Sequence, residues 1–337
     1  MRDNYTAWNI DFNEFEKLKV DEDRLKFLLK FAVLAPSGHN AQPWKVKLLK
    51  NGFEIVYEKS RRLPVGDPKD RLLYIGVGAF IENLALAADY YGYSVTSKIV
   101  ENGNIVAQII LKQARKKRPT KHLAVVIPKR VTNRNQYSNK LPSESVLGSM
   151  KKLSNKNIEV TYLKNKSNLS SLCEDVVNAN INTFESNAFR EELSRHIRTN
   201  VTKKKTGMPA FGMGMPTIIS FITPLLIKLT NVNKMSYKKD LDVFKNHTPL
   251  FFLISSRGNK RSDWVNVGRV FERISLIATR EGMSVSPQAG PVIINKYAVR
   301  MKNYFNSKLI PQMFFRMGYP EKETPHSPRL SVEEILS

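Results

Sequence analysis

The sequence predicts an α+β fold in which one structural unit occurs twice. Asn51-Gly52 and Asn102-Gly103 each separate two strand-like runs, the strongest short-range signal for an antiparallel hairpin. Residues 76–95 and 266–285 align without a gap, and eight of their twenty positions are identical. Two copies are too few for a solenoid, so we interpret them as a fused duplication whose halves pack like a dimer. The alternative is a coincidence between two core helices.

Composition excludes several classes of protein. The chain of 337 residues is 42% hydrophobic and 25% charged, which is typical of a globular protein with an ample core. Its one cysteine, Cys173, excludes an internal disulfide and fits a buried position in a reducing compartment. Residues 1–5 lack the apolar core of a signal peptide, so we expect a cytoplasmic location.

The net charge of +24 favours anionic partners. Basic residues are scattered along the chain and are dense only at 112–121 and 203–205. The sequence has no zinc-finger spacing, basic zipper or aromatic RNA-binding signature. We therefore interpret most of the charge as a solvated lysine-rich surface and expect no specific nucleic-acid partner.

The loop at residues 35–44 joins a predicted helix to a predicted strand. Apolar residues recur at helical spacing over 25–33, and residues 44–48 alternate as in a strand. Prolines bound the loop on both sides, and between them lie uncharged hydrogen-bonding side chains: Ser37, Asn40 and Gln42. Such a set suits a planar heterocycle, because each amide both donates and accepts. The alternative is an ordinary connection between two elements.

The other regular elements follow from local patterns. We predict strands at 45–50, 53–59, 105–111, 158–163 and 248–255. We predict helices over about 70–91, 143–153, 169–183 and 189–198. The repeated helix is expected to end at Gly92 in the first copy and at Gly282 in the second, since glycine favours the left-handed C-terminal cap.

A basic segment follows the start of the second half, near Leu123. Arg130, Thr132 and Arg134 alternate along it, and alternate residues of an extended chain share one face. Two guanidinium groups and a hydroxyl on one face suit a phosphate. An ordinary basic surface stretch is the alternative.

Residues 200–246 interrupt the pattern of the second half. Three lysines lead into a run rich in glycine and methionine at 207–216, and apolar residues follow to Leu229. Two prolines, several polar residues and Lys228 argue against a membrane-spanning helix of about 20 residues. We interpret this segment as a mobile lid, with a peripheral membrane contact as the alternative.

Taken together, these segments resemble the FMN-binding nitroreductase superfamily. The Ala-Pro-Ser-x-x-Asn-x-Gln-Pro-Trp loop, the Arg-x-Thr-x-Arg segment, the glycine-punctuated core helix and the terminal Gly-Tyr-Pro…Ser-Pro-Arg all match it, over nearly the whole chain. The stretch at 189–193 is similar to the Acg-type branch, in which two nitroreductase halves are fused.

The resemblance implies a nitroreductase-like α+β fold with a central, mainly antiparallel sheet flanked by helices, internally duplicated as a single-chain pseudo-dimer. Residues 1–118 would form the first half. Residues 119–337 would form the second, with the lid-like insertion at about 200–246. The two halves would intertwine as one globular unit, so the chain is expected to be a monomer.

The resemblance also implies FMN as the cofactor, held between the halves. The isoalloxazine region would face Pro36, Ser37, Asn40 and Gln42. The phosphate would be held by Arg130, Thr132, Arg134 and Arg329. The side of the flavin that carries N5 would meet the small-residue turn of Gln288, Ala289 and Gly290. No catalytic side chain is identified, because hydride transfer to N5 requires none, and no metal ligand is predicted.

Only one complete flavin site can be assembled from these motifs. The second half has no copy of the loop at 36–44, and the first half has no clear Arg-x-Ser/Thr-x-Arg opening. The implied activity is an FMN-dependent oxidoreductase that passes electrons from NAD(P)H to a small-molecule acceptor such as a nitroaromatic or a quinone. One alternative is a protein that sequesters FMN under a closed lid with little turnover. The other is a basic protein that binds nucleic acid or a membrane surface.

Overall fold

The computed structural model describes residues 3–114, 122–165 and 167–337. Its strands are β1 (Trp44–Leu49), β2 (Gly52–Tyr57), β3 (Tyr93–Ile99), β4 (Ile105–Gln113), β5 (Ile158–Lys164), β6 (Ile197–Arg198), β7 (Met208–Pro209), β8 (Leu250–Ser256), β9 (Ser284–Gln288) and β10 (Ile310–Gly318). Its α-helices are α1 (Glu14–Lys17), α2 (Asp21–Ala32), α3 (Arg71–Tyr90), α4 (Glu144–Lys151), α5 (Ser170–Glu185), α6 (Asn187–Ser194), α7 (Thr217–Ser220), α8 (Thr223–Leu229), α9 (Val232–Met235), α10 (Tyr237–Asn246), α11 (Arg261–Arg280), α12 (Gly290–Ile293), α13 (Asn295–Tyr304) and α14 (Val332–Ile335).

Two four-stranded antiparallel sheets form the framework. Their strand orders are β1-β2-β4-β3 and β5-β8-β10-β9. In each half a helix follows the second strand, and the last two strands of the sheet follow that helix. The elements β1, β2, α3, β3 and β4 therefore correspond to β5, β8, α11, β9 and β10. The prediction of an α+β fold with antiparallel sheets flanked by helices is confirmed, and the two larger sheets have four strands each.

The repeated helices α3 and α11 cross at equivalent glycines. A Cβ on Gly78 would lie 2.0 Å from the carbonyl oxygen of Val265, and one on Gly268 would lie 1.9 Å from that of Ile75. In the repeat, Gly78 is equivalent to Gly268 and Ile75 is equivalent to Val265. Each helix therefore makes the same contact with the other, as in a self-complementary two-fold interface. The equivalent packing of the two helices is consistent with an internal duplication.

Both repeated helices end as the sequence predicts. Gly92 and Gly282, which occupy equivalent positions, have φ of 88° and 77°. Only glycine adopts this left-handed conformation without steric cost. The most apolar part of α3 would be long enough to cross a membrane, but 83% of it is buried inside the protein, which identifies α3 as a core helix.

The two halves share one main hydrophobic core around α3 and α11. A second, smaller core lies between α5, α13 and the outer face of the second sheet. Cys173 belongs to the second core and is only 1% exposed, which confirms its predicted burial. Burial also raises the pKa of its thiol to about 11, so the thiol stays protonated at neutral pH.

The second half carries a large insertion between its first two strands. In the first half, β1 turns into β2 across residues 50–51, whereas β5 and β8 are separated by residues 165–249. The insertion contains helices α5 to α10. It therefore begins well before residue 200, where the sequence analysis placed it.

The C-terminal tail returns to the first sheet. Leu336 forms a parallel bridge with Val46 of β1, and the Ser337 N–H donates to the Val46 carbonyl oxygen at 3.0 Å. The Arg329 N–H donates to the Asn4 carbonyl oxygen, also at 3.0 Å. These contacts of the tail position Arg329 against the first half. The predicted boundary at 118/119 lies outside the described residues.

Candidate functional site

The loop between α2 and β1 has an uncommon backbone. His39, Asn40 and Gln42 have φ of 50°, 54° and 52°, in the left-handed region that residues with a side chain rarely occupy. Such conformations persist only where surrounding contacts hold them, and they are concentrated at ligand sites. The Gln42 N–H closes the loop by donating to the Ser37 hydroxyl at 2.9 Å.

The Asn40 side chain joins this loop to two distant segments. Its Nδ2 donates to the carbonyl oxygens of Gly207 and Pro328, both at 2.9 Å. Its Oδ1 accepts from Arg329 Nη1 at 2.7 Å. The amide is buried and all of its hydrogen-bonding atoms are used by the protein.

Gln42 makes the same kind of connection. It is fully buried. Its Nε2 donates to the Lys205 carbonyl oxygen at 2.7 Å, and its Oε1 accepts from the Leu330 N–H at 2.9 Å. In this conformation the amides of Asn40 and Gln42 bind the backbone of residues 205–207 and 328–330. That their side chains face a heterocycle stays a prediction.

Two of the predicted phosphate ligands converge on the end of α2. Arg130 Nη2 donates to the Leu34 carbonyl oxygen at 3.2 Å, and Arg329 Nη2 donates to the same oxygen at 3.3 Å. Both side chains are buried, with exposures of 2% and 4%. Arg329 also lies 4.8 Å from the Trp8 ring in a cation–π contact. Segments separated by 96 and 295 positions in the chain thus meet at one carbonyl group.

Glu272 lies behind these arginines and was not predicted as a site residue. Its Oε1 is 3.2 Å from Arg130 Nε, and the carboxyl group is fully buried. Burial raises its pKa to about 6, although Arg130 acts in the opposite direction. The repeat could have identified Glu272, because it is the counterpart of Glu82 in the first copy. Glu82 does not pair with a buried arginine; it pairs with Arg269 and Arg273 of α11, which are partly exposed.

The arginine cluster has more donors than acceptors. Among the described residues, Nη1 of Arg130 and Nε of Arg329 are buried without a hydrogen-bond acceptor. Nε of Arg130 has only its ion-pair contact with Glu272, whose two carboxylate oxygens also lack a hydrogen-bond donor. Burial lowers the pKa of Arg329, and the charge of Arg130 lowers it further. Buried N–H groups normally have partners, so this surplus of positive donors indicates a site for an anion.

Arg134 occupies a recess next to the loop. Its guanidinium is exposed, yet desolvation by the surrounding protein lowers its pKa, so it contacts solvent from a deep position. Its contacts are long: Nη1 lies 3.5 Å from the Gly212 carbonyl oxygen and Nη2 lies 4.0 Å from Met208 Sδ. The guanidinium is therefore available to a ligand. Arg130 and Arg134 do not lie together on one exposed face of the segment, because Arg130 is buried and Arg134 is exposed.

His39 lies beside this recess and also escaped the sequence analysis. Its ring packs against Phe189 and His196, with centroids 6.0 and 5.7 Å apart. Burial, together with the neighbouring His196 and Arg134, lowers its pKa to about 3. His39 is therefore neutral at physiological pH. His39 lies within the predicted loop, but it occupies one of the unspecified positions of the Ala-Pro-Ser-x-x-Asn-x-Gln-Pro-Trp motif, so the motif does not single it out.

The segment that follows Arg130 runs beside β9. Thr132 forms a parallel bridge with Val285, and the Asn133 N–H donates to the Val285 carbonyl oxygen at 3.2 Å. At the end of the same strand, Gln288 Oε1 accepts from Asn180 Nδ2 at 3.0 Å. The structure therefore brings the predicted Arg-x-Thr-x-Arg segment and the predicted small-residue turn together along one strand.

The small-residue turn differs in part from its prediction. Ala289 is exposed, but Gly290 is buried, and a Cβ on it would lie 2.9 Å from the Ala179 carbonyl oxygen of α5. The close backbone approach at Gly290 is thus made to a helix of the insertion rather than to a ligand. In the first half, Pro36 and Ser37 are half-buried, and both lie against Gly76 of α3.

Residues 205–213 cover the open side of the loop. The Gly207 N–H donates to the Asn40 carbonyl oxygen at 3.1 Å, in addition to the side-chain contacts described above. Beneath the loop, a cavity lined by Gly38, Ala41 and Pro43 has a volume of about 10 Å³, which is room for about one water molecule. A ring system can reach the loop only if the covering segment moves.

The chain matches no known family profile, and no curated protein matches it. Among solved structures it is similar to an FMN-dependent nitroreductase, NfnB, from Mycobacterium smegmatis in complex with NADPH, at 14% identity over 63% of this chain and 96% of the other, with a TM-score of 0.41. A nitroreductase with bound FMN from Desulfitobacterium hafniense aligns over 61% of this chain and 93% of its own, at 12% identity and a TM-score of 0.38. A BluB-like flavoprotein from Clostridium difficile aligns over 64% and 98%, at 13% identity and a TM-score of 0.40. More than a third of this chain lies outside each alignment.

Proposed function

We propose that the chain is a cytoplasmic FMN-dependent oxidoreductase of nitroreductase type, built as an Acg-like fusion of two halves with one composite flavin site. The observation that carries the proposal is the convergence of Arg130 and Arg329 on the carbonyl oxygen of Leu34, with Arg329 also bound to Asn40. The motifs concerned come from the first half, the second half and the C-terminal tail. Their sequence resemblance to flavin-binding motifs predicts that they meet.

The donor set fits the phosphate of FMN. Arg134 is exposed in a recess, and the buried Arg130 and Arg329 keep N–H groups without acceptors within the described residues. A phosphate presents several acceptor oxygens, which guanidinium groups bind in a bidentate manner. We assign Arg134 to direct phosphate contact, with Thr132 beside it. Arg130 and Arg329 supply positive charge from behind.

The ring of FMN would lie against the backbone of residues 36–42 and the turn at 288–290. When bound, FMN would supply electron transfer from NAD(P)H to a small acceptor such as a nitroaromatic or a quinone. The contribution of the chain is to bind and orient the flavin and to exclude water. We assign no side chain as a general acid or base.

We further propose that residues 205–216 act as a lid. Asn40 and Gln42 hold the backbone of Gly207 and Lys205, and Arg134 contacts Gly212 and Met208. Bound FMN would compete with Met208 and Gly212 for Arg134, so lid position and flavin binding are coupled.

Substitution of Arg134 by alanine is expected to weaken FMN binding by about ten- to a hundredfold, corresponding to one charge-assisted hydrogen bond of roughly 1.5–3 kcal/mol. Riboflavin lacks the phosphate, so its affinity should change little. Quenching of flavin fluorescence measures both ligands. Arg195→Ala is the matched control, because Arg195 is exposed and pairs only with Glu191 among the described residues. Equal losses for FMN and riboflavin would show that Arg134 does not bind the phosphate.

The hydrogen-bonded lid also favours a second candidate function, in which the chain holds FMN without appreciable turnover. Anaerobic addition of NADPH to the FMN-loaded protein separates the two functions. Bleaching of the flavin absorbance within seconds to minutes, followed by recovery when a quinone is added, supports the oxidoreductase. A spectrum that NADPH leaves unchanged supports sequestration.

Replacement of residues 208–215 by a Gly-Ser sequence of equal length is expected to accelerate reoxidation of bound, reduced FMN by a nitroaromatic acceptor. The reason is that the replacement removes the side chain of Met208 and the 3₁₀ turn at Ala210–Met213 that cover the recess. Stopped-flow absorbance compares the altered and original proteins, with dithionite as reductant so that NAD(P)H binding does not enter. An unchanged rate in a folded, flavin-loaded variant would show that the segment does not gate the site.

A further inference from the structure

An apolar surface projects from the insertion on helices α7 and α8. Ile218, Phe221 and Leu229 are 84%, 59% and 64% exposed. Phe221 lies in the turn between the two helices. Four more large apolar side chains of the helices and this turn are also exposed: Ile219, Ile222, Leu225 and Leu226. We call these seven side chains the α7–α8 face. Globular proteins rarely expose a contiguous patch of this kind without a partner for it.

The polarity of this hairpin is the reverse of that of a water-facing helix. The buried positions include Ser220 and Thr223, which are 0% and 3% exposed. The Ser220 hydroxyl donates to the Thr217 carbonyl oxygen and accepts from the Asn200 N–H at 3.0 Å, and the Thr223 hydroxyl donates to the Ile219 carbonyl oxygen at 2.8 Å. Ser220 thus connects this segment to Asn200, and Ile227 packs against Leu193 and Ile197 in a small core, while the other large apolar side chains of the segment are exposed.

The charged residues that flank the α7–α8 face in the sequence are of one sign. Between Glu192 and Asp240 the sequence has nine lysine or arginine residues and no acidic residue. Several of these cations are exposed close to the face in sequence: Lys203, Lys204, Lys228, Lys234, Lys238 and Lys239. Exposed apolar side chains surrounded by lysines form the composition of helices that lie in the interface of an anionic membrane.

We propose that the α7–α8 face seats the protein on the surface of an anionic lipid bilayer. Phe221 and Leu225 enter the boundary between headgroups and acyl chains, and the lysines contact lipid phosphates. The contact is peripheral, because α8 has seven residues, a length of about 10 Å, whereas a spanning helix needs about 20 residues. This proposal does not depend on flavin binding.

The charges favour a bilayer over a second copy of the chain. A two-fold related copy would place the same apolar side chains together, but it would also bring two sets of lysines against each other. No acidic residue between Glu192 and Asp240 could pair with them, and like charges across an interface are repulsive. An anionic bilayer satisfies both the apolar surface and the positive charge.

Co-sedimentation of the full chain with lipid vesicles tests the proposal. We expect binding to phosphatidylcholine vesicles that contain about 30% phosphatidylglycerol, and much weaker binding to pure phosphatidylcholine. Because the Debye length falls from about 10 Å to about 3 Å between 0.1 and 1 M salt, added salt should weaken the binding. The double substitution Phe221→Ser, Leu225→Ser should reduce the partition coefficient roughly tenfold or more.

Ile110→Ser is the matched control, because Ile110 is 49% exposed on β4 of the first sheet, away from the insertion. It should leave vesicle binding unchanged. Circular dichroism of each variant checks that the fold is retained, which is expected because the substituted side chains face outward. Absence of binding to anionic vesicles would overturn the proposal. A dimer in light scattering that Phe221→Ser, Leu225→Ser converts to a monomer would also overturn it, in favour of a second copy.

Discussion

Gly268→Ala will destabilise the protein by about 3 kcal/mol or more, because the added Cβ has no space at the helix crossing. It would lie 1.9 Å from the carbonyl oxygen of Ile75, a backbone atom that cannot rotate away. Relief requires α3 and α11 to separate, and this would disturb the core that both halves share. Gly78→Ala should have a similar effect, since its Cβ would lie 2.0 Å from the equivalent oxygen of Val265. Urea unfolding followed by circular dichroism measures both variants.

Gly148→Ala is the control for this prediction. Gly148 lies inside α4, and a Cβ there would meet nothing within 4 Å in the described structure. Alanine should therefore stabilise this helix by about 0.5–1 kcal/mol through its higher helix propensity. If Gly268→Ala were no more destabilising than Gly148→Ala, the two helices would not cross as closely as described.

Arg130→Ala is expected to cost about 3–5 kcal/mol of folding stability, because it leaves the buried carboxylate of Glu272 without its cationic partner. Loss of the cation should also raise the pKa of Glu272 further, since Arg130 opposes the effect of burial more strongly than Asn83 and Arg329 do. The loss of stability should therefore be larger at pH 8, where the unpaired carboxyl is ionised, than at pH 5, where it is protonated.

The double variant Arg130→Met, Glu272→Gln controls for this effect. It removes both charges and keeps similar side-chain volumes, so it should recover most of the stability that Arg130→Ala loses. FMN binding should stay weakened in the double variant, because the positive charge is still absent. A double variant no more stable than Arg130→Ala would show that Arg130 acts through packing and not through its charge.

The sequence predicts much of the fold because local patterns decide it. Gly92 and Gly282 end equivalent helices in the predicted conformation, and the turn after Leu49 forms the predicted hairpin. The duplication could be identified because both glycines at the helix crossing must stay small for the halves to approach. The extent of the insertion could not, because helices α5 and α6 have ordinary amphipathic patterns and only the strand pairing shows that they interrupt the second sheet.

The structure brings several of the predicted site residues together, and it gives some of them contacts that the sequence does not reveal. The sequence places Arg130 and Arg329 with the loop, and they meet there. It assigns the side chains of Asn40 and Gln42 to a ligand, whereas they bind backbone atoms of the insertion and of the tail. An amide can satisfy a carbonyl group of the protein as well as one of a ligand, and no local pattern distinguishes the two. Likewise, a glycine permits close approach to a helix backbone as well as to a ligand, and Gly290 lies against Ala179 of α5.

The central claim is that the two halves together form one FMN site. The most direct measurement loads the purified chain with excess FMN, removes free flavin by gel filtration, and counts the flavin released on denaturation against the protein. One FMN per chain is predicted, because Arg130, Arg329 and the loop at 36–42 occur together once in the chain. Two FMN per chain, or none, would contradict the account.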